Sequence, residues 1–352
     1  MITRILALIV LVALVLGGME AFRFLAAGPG RADEKVVFDV RHGQSFLRVA
    51  NELEKQGLIR SQLKLRILAK LTQQDRRVKL GEYELNKAMA PQEILAVLTS
   101  GKSIQYSVTF PEGSNIYEMA AELEAKNLYR AADFLQAVRD KTIIRSLLNI
   151  EVSSLEGYLF PETYKVTKYT ALKDLLAMMV KNFVDTYNTI EGREGARPGL
   201  SRHEIVTLAS VVEKETGAPQ ERPMIASVFH NRLAKGMKLQ SDPTIIYGIW
   251  VETGAYKQNI TRADLQRSTP YNTYTVARLP FGPIASPGRE SIAAVFRPAT
   301  SEYLYFVSRN DGTHVFTKTY EDHLKAVKAF QLDPNAREGK SWRDLGKKPA
   351  SP

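Results

Sequence analysis

The amino-acid sequence predicts an α+β protein: an N-terminal transmembrane helix, a small α+β module, and a larger mixed α+β domain. Three observations predict it. The chain opens on an uncharged apolar run from Ile5 to Met19. Two later segments each read as an alternating strand, a glycine turn and an amphipathic helix. Beyond Ser154, long amphipathic helices alternate with Pro/Gly-rich loops and one strand–turn–strand segment. The 352 residues, 44% hydrophobic and 24% charged, suit a globular chain of about two domains.

The apolar run alone would span about 22 Å as a helix, short of the roughly 30 Å hydrocarbon layer of a bilayer. Phe22, Phe24 and Leu25 extend it. A cleaved signal peptide is the rival reading, but "GGMEAFRFLAAGPG" puts charged and bulky residues where a cleavage site wants small ones. An uncleaved anchor over 1–25 is therefore expected, followed by a Gly/Pro linker over 26–35. Either reading places the body outside the cytoplasmic membrane. Arg4 on one side, against Arg23 and Arg31 on the other, gives no clear charge bias for orientation.

The α+β module is expected over 36–104. "VVFDVRHGQSFLRVANELEKQGLI" from Val36 and "QYSVTFPEGSNIYEMAAELEAKNLY" from Gln105 form a weak repeat. Aligning Gly43 with Gly113 superposes Val49 on Met119, Ala50 on Ala120 and Leu53 on Leu123. Ser45 and Ser114 are candidate N-caps or first-turn residues. Such strand–turn–helix units resemble the LysM-like fold that binds cell-wall glycans, and equally a generic βα packing unit. Pro91 opens a helix carrying Ile94, Leu95 and Leu98, and Gly101 ends it. The larger domain is expected over 105–335, with a basic flexible tail over 336–352.

The charge of +10, from 48 basic and 38 acidic residues, favours an anionic partner. The basic residues are dispersed, so nucleic acid is not indicated. Without cysteine, disulfides and thiolate chemistry are excluded. Five histidines without paired spacing argue against a metal site. No G-x-S-x-G elbow points to a serine hydrolase, and no cofactor is expected.

Candidate chemistry centres on "LASVVEKETG", residues 208–217. Ser201 and Glu204 form a capping-box pattern that starts this helix. Ile205, Leu208, Ala209 and Val212 make one apolar stripe. On the helical wheel Glu213 lies at the edge of that stripe, where burial would raise its pKa toward that of a general acid. Glu215 falls on the other, wetter flank. A solvated helix end accounts for the same two residues. Downstream, "LQSDPTIIYG" supplies Gln240, Ser241 and Asp242, and a long loop supplies Tyr271, Asn272 and Tyr274. The tyrosines suit stacking on sugars, and Asn272 suits hydrogen bonding to acetamido groups. A packed loop covering a core is the alternative. Glu156, beside Gly157, is a secondary candidate with Glu215.

"SLEGYLFPETY", "LASVVEKET", "VFHNRL", "LQSDPTIIYG", "PYNTY", "LPFGPIASPG" and "DGTHVF" occur in this order and spacing. Together they closely resemble the YceG-like family of endolytic murein transglycosylases, over nearly the whole chain. The resemblance implies an anchor on the cytoplasmic (inner) membrane, a LysM-like part and an extracytoplasmic lytic transglycosylase. Its substrate would be nascent peptidoglycan glycan strands, with peptidoglycan synthases as neighbours. It assigns the catalytic acid to Glu213 and the cleft to Gln240, Ser241, Asp242, Tyr271, Asn272 and Tyr274. One carboxyl suffices in such a lyase, because the C6 hydroxyl of N-acetylmuramic acid attacks its own anomeric carbon. Arg278 stands where the family has Gly, and Phe281 where it has Pro, which puts that loop's conformation in question. A non-catalytic glycan-binding scaffold, or a muramidase pairing Glu213 with Asp242, remain alternatives.

Overall fold

The computed structural model describes residues 2–196, 199–215 and 218–333; the expected tail over 336–352 lies outside them. The fold is mixed α+β. Two compact units are formed, one by the chain up to Ser107 with Lys165–Thr170, the other by Val108–Tyr164 and the chain from Ala171 onward.

The first unit runs α1 (Ile2–Ala26), β1 (Lys35–Val40), α2 (Phe46–Lys55), α3 (Gln62–Leu71), β2 (Gly81–Asn86) and α4 (Pro91–Ser100). α1 extends past the apolar run at both ends. Its 25 residues make about 37 Å at 1.5 Å per residue, more than a hydrocarbon layer requires. The stretch Leu8–Ala26 is long and apolar enough to cross a membrane, and Leu8, Leu11, Leu14 and Leu16 are exposed. The expected linker is not a loose tether. Gly28 N donates to Ala88 O at 3.1 Å and Gly30 N to Lys87 O at 2.9 Å. A Cβ on Gly28 would lie 2.2 Å from Lys87 O, so only glycine fits that approach.

β1 and β2 pair antiparallel, Phe38 opposite Tyr83 and Val36 opposite Leu85. The two-residue period turns Phe38, Val40, Tyr83 and Leu85 inward, onto Val49 and Leu53 of α2, Leu65 of α3 and Ile94, Leu95 and Leu98 of α4. Each large side chain buried this way contributes roughly 1.5–3 kcal/mol. Gly101 ends α4 in the left-handed conformation, as expected. The returning segment is held here too: Lys168 Nζ lies 3.1 Å from Asp39 Oδ2 and 3.0 Å from Glu82 Oε1.

β3 (Tyr106–Thr109) and β4 (Thr163–Val166) pair with each other, and the chain changes unit within them. The second unit continues α5 (Ile116–Ala125), α6 (Ala131–Ala137), α7 (Lys141–Leu148), α8 (Leu172–Glu194) and α9 (Arg202–Glu215). Then come α10 (Arg222–Ala234), α11 (Asp242–Thr253), α12 (Arg262–Gln266) and α13 (Arg289–Phe296). The described chain closes with the hairpin of β5 (Tyr305–Ser308) and β6 (His314–Thr317), α14 (Tyr320–Val327), and a short helical turn.

The repeat read in the sequence is a strand, a left-handed glycine (φ +71° at Gly43, +77° at Gly113) and a helix in both copies. The copies do not share a sheet, since β1 pairs with β2 and β3 with β4. Ser45 caps α2, but Asn115 rather than Ser114 caps α5. The Asn115 carboxamide oxygen reaches two backbone donors, Tyr117 N and Glu118 N, while Ser114 Oγ turns back to Pro111 O.

α9 is the central helix of this unit, packed by α10, α11 and α13. Ser201 and Glu204 close the expected capping box at its start. Arg202 lies over the Tyr187 ring of α8 at 4.4 Å. Every residue from Ile205 to Glu213 is buried, so through those turns α9 has no wet side.

Candidate active site

The last turn of α9 carries both glutamates, and the structure separates them sharply. Glu213 is 8% exposed and both of its oxygens are engaged. Oε1 accepts from Arg222 Nη2 at 2.8 Å, and Oε2 from Gly288 N at 2.9 Å. Arg222 Nη2 also reaches Glu112 Oε2 at 3.2 Å. Burial, and then the Glu213 charge, raise the Glu112 carboxyl above its ordinary value. A Cβ on Gly288 would stand 1.9 Å from Glu112 Oε1, so glycine is needed to bring this backbone N–H to Glu213.

Glu215 faces a cleft of about 250 Å³. Gln240, Asp242 and Tyr274 line it with Arg232, Tyr305 and His323. Burial pushes the Glu215 carboxyl up to about 7, and the Asp242 charge adds to the rise. The Ser241 hydroxyl and the Arg232 guanidinium oppose it. The sequence puts Glu213 at the edge of the apolar stripe and Glu215 on the wetter flank; in the structure Glu213 is buried and Glu215 half-buried, and it is Glu215 that lines the cleft. A helical wheel ranks faces by burial and does not say which carboxyl will meet a cleft built by other segments.

The other expected residues divide. Gln240 lines the cleft with its backbone left-handed at φ +52°, a conformation that non-glycine residues hold chiefly in turns and at functional sites. Ser241 is 1% exposed and precedes α11, its N–H donating to Thr273 Oγ1 at 2.8 Å. Asp242 Oδ1 accepts from Tyr274 Oη at 2.7 Å. Burial and then Asp242 raise the Tyr274 phenol well above its ordinary value.

Asn272 and Tyr271 do not join them. Asn272 is fully buried, and its amide donates to the carbonyls of Asp264, Leu265 and Arg267 while its oxygen accepts from Tyr274 N. Those bonds shape the loop and leave nothing to offer a sugar. Tyr271 does not line the cleft; it packs edge-on against Tyr247 at 5.0 Å. Glu156 is 2% exposed and accepts from Tyr247 Oη at 2.7 Å and Ile116 N at 3.1 Å. Burial pushes it to about 7 as well, but it does not line the Glu215 cleft.

Arg232, Tyr305 and His323 were not singled out in the sequence. Arg232 Nε donates to Leu304 O and Nη1 to Leu239 O, both at 2.6 Å, tying α10 to the strand and turn that frame the cleft. An arginine inside "VFHNRL" was the available signal, since a buried guanidinium needs partners. Burial and Arg232 hold His323 below its ordinary range. Among the described residues no cluster of His, Asp and Glu is arranged to hold a metal.

A larger cavity, about 340 Å³, lies in the first unit. Its lining of Arg41, His42, Asp75 and Arg76 beside Phe46 suits binding rather than proton transfer. The Glu215 cleft is the one with acid chemistry: a carboxyl able to donate and accept a proton near neutrality, beside hydroxyl, carboxylate and guanidinium groups.

Comparison with known proteins gives a consistent result. The YceG-like family matches residues 38–329. The chain is 32% identical over 344 residues to an endolytic murein transglycosylase of Bacillus subtilis (strain 168), covering 92% of this chain and 93% of that one. It is 31% identical to the endolytic murein transglycosylase of Streptococcus pneumoniae serotype 2 (strain D39), over 91% of this chain and 63% of the longer relative. Among solved structures it resembles the crystal structure of a YceG-like protein from Listeria monocytogenes. That likeness has a TM-score of 0.56 at 31% identity, over 84% of this chain and 99% of the other.

Proposed function

Because the chain belongs to the YceG-like family, we propose that it is an endolytic murein transglycosylase, a lyase, with Glu215 as its single general acid and base. The observation that carries the reading is the Glu215 carboxyl, raised to about 7 in a cleft beside Gln240, Asp242 and Tyr274. Glu213 receives a positioning role instead, because Arg222 and Gly288 occupy both of its oxygens.

The Glu215 proton passes to the glycosidic oxygen between N-acetylmuramic acid and N-acetylglucosamine as the C1–O bond breaks. The carboxylate left behind takes the proton of the muramyl C6 hydroxyl, whose oxygen bonds to C1 and closes a 1,6-anhydro ring. The substrate supplies the nucleophile, no water is consumed, and Glu215 ends protonated as it began. A pKa near the working pH serves both halves. The Arg232 charge, which favours the ionised carboxyl, stabilises it midway. Gln240, Asp242 and Tyr274 bind and orient the sugars, and the role expected of Asn272 passes to shaping that loop.

α1 is read as a single-pass anchor in the cytoplasmic membrane, with the remaining chain on the extracytoplasmic side. Tethering raises the enzyme's effective concentration near new strands and beside peptidoglycan synthases. The first unit is read as a LysM-like glycan-binding module, a reading supported by its strand–helix–helix–strand order and its cavity. Mass analysis of products from purified murein tests the activity. Fragments ending in 1,6-anhydro-N-acetylmuramic acid are expected. Products one water heavier would assign a muramidase using Glu215 with Asp242. Strand binding without any products would assign a scaffold.

A further inference from the structure

Outside the cleft, the second unit carries a row of aromatic rings that the reaction does not use. Phe281, Tyr271, Tyr247, Tyr117, Trp250 and Tyr256 follow one another ring to ring, at centroid separations of 6.2, 5.0, 6.3, 5.0 and 5.1 Å. Tyr247 is buried and anchors the row through Glu156. Tyr256 and Phe281, at the two ends, are 58% and 61% exposed. Tyr117 and Trp250 stack nearly parallel, 17° apart, and both are half-buried. Arg139 lies over the Tyr117 ring at 5.4 Å and donates to its hydroxyl at 2.9 Å.

Core packing accounts for Tyr247 but not for the ends of the row, because exposed rings return little burial energy. On one side of Tyr247 the half-buried Tyr117 and Trp250 lead to exposed Tyr256, and on the other half-buried Tyr271 leads to exposed Phe281; apolar surface left open in this way marks binding sites. Tyrosine and tryptophan offer an apolar face with a polar tip, which matches a sugar's C–H face and its rim of hydroxyls. Arg139 adds a cation for the carboxylates that murein carries.

Two elements lead from the row to the cleft. α11 begins in the cleft with Asp242 and reaches Trp250 eight residues on, about 12 Å along its axis. The loop after α12 puts Tyr274 in the cleft, and Tyr271 and Phe281 in the row.

Resting on the murein-cleaving reading above, we propose that this row is an accessory glycan-binding track, a continuation of the cleft that holds the strand several sugars away from the bond being cut. It gives the enzyme a preference for long strands over short oligosaccharides.

The test uses the full-length protein in detergent with long uncrosslinked glycan strands and with a murein tetrasaccharide. Trp250→Ala and Tyr256→Ala are expected to raise KM for long strands about tenfold with kcat unchanged. Tetrasaccharide kinetics should not change, and Trp250→Phe should restore most of the loss. An unchanged KM on long strands, or equal losses on both substrates, overturns the track. Co-sedimentation with strands in a Glu215→Gln background separates this from failure of the activity. Strand affinity weakened about tenfold on adding Trp250→Ala supports the track even if the parent protein cuts nothing. A strand affinity unchanged by Trp250→Ala overturns it even if cleavage is confirmed.

Discussion

Arg222 closes on Glu213 with its Nη2 2.8 Å from Glu213 Oε1, and the two side chains are only 10% and 5% exposed. A buried ion pair of this kind holds geometry more than it adds stability, because desolvation offsets most of the attraction. Here it fixes the final turn of α9, two residues before Glu215. The two carboxyls of the E-K-E triplet thus have different surroundings, one bound to a guanidinium and one facing the cleft.

Glu215→Gln should lose roughly a hundredfold to ten-thousandfold in rate, the range for removing a general acid and base. The amide keeps the shape of the side chain, so strand binding and the circular dichroism spectrum should be retained. Turnover on purified murein measures it. A folded Glu215→Gln protein with near-normal rate would remove Glu215 from the chemistry.

Glu213→Ala should act first on stability. Removing one partner of a buried pair leaves an uncompensated charge and costs about 3–5 kcal/mol, though Glu112 remains to share Arg222. Glu213→Gln, which can still accept from Gly288 N, should be milder on both stability and rate. Thermal unfolding and turnover measured together check this. If Glu213→Gln were fully folded and dead while Glu215→Gln stayed active, the roles assigned here would be exchanged.

The rate should fall as pH rises through about 7, where Glu215 loses the proton it must donate. The Asp242 charge helps to keep that proton on. Asp242→Asn should therefore move the descending limb to lower pH, besides weakening substrate binding through Tyr274. A pH–rate profile of the two proteins decides it, and a limb that stays in place or moves upward would count against the pairing.

Arg278 holds a left-handed backbone, φ +65°, and is largely exposed. That explains why glycine stands at this position in the family pattern. A left-handed conformation costs a side-chain-bearing residue roughly 1–2 kcal/mol, partly offset by the greater unfolded freedom of glycine. Arg278→Gly should leave stability unchanged or raise it by up to about 1 kcal/mol. The 3.9 Å contact of Arg278 with Glu204 is exposed and contributes little. Chemical denaturation of the two proteins measures the difference.

What could be read in the sequence was what local chemistry decides. The caps at Ser45 and at Ser201 with Glu204, the stop at Gly101 and the hairpin around Asp311 and Gly312 each depend on a few adjacent residues. The difference between the two glutamates was not of that kind. Glu213 and Glu215 differ through Arg222, Gly288, Asp242 and Arg232, which reach α9 from three other segments. Tyr271 and Tyr274 sit three residues apart, yet Asn272 bends the loop between them so that only one enters the cleft. Tyr305 and His323 arrive with the hairpin and α14, 90 and 108 residues after the end of α9, at a spacing set by tertiary closure alone.

Glu156 should make stability depend on pH in a direction opposite to that of a salt-bridged carboxylate. Its folded-state pKa is about 7 against an ordinary 4.5, with burial as the main cause. Between those values the folded protein keeps a proton that the unfolded chain releases, so stability declines as pH rises through this window and levels off above about 7. The decline from this one group is at most about 3 kcal/mol. Glu215 titrates over the same window, so substituting Glu156 should flatten the dependence without abolishing it. Glu156→Gln keeps an oxygen for Tyr247 and Ile116 N but places an amide where Oε1 now has no partner. The variant should therefore be less stable than the parent near pH 5 and more stable near pH 8, with the curves crossing between. Unfolding midpoints measured from pH 5 to 8 test this, and parallel curves would mean that Glu156 is ionised in the folded protein.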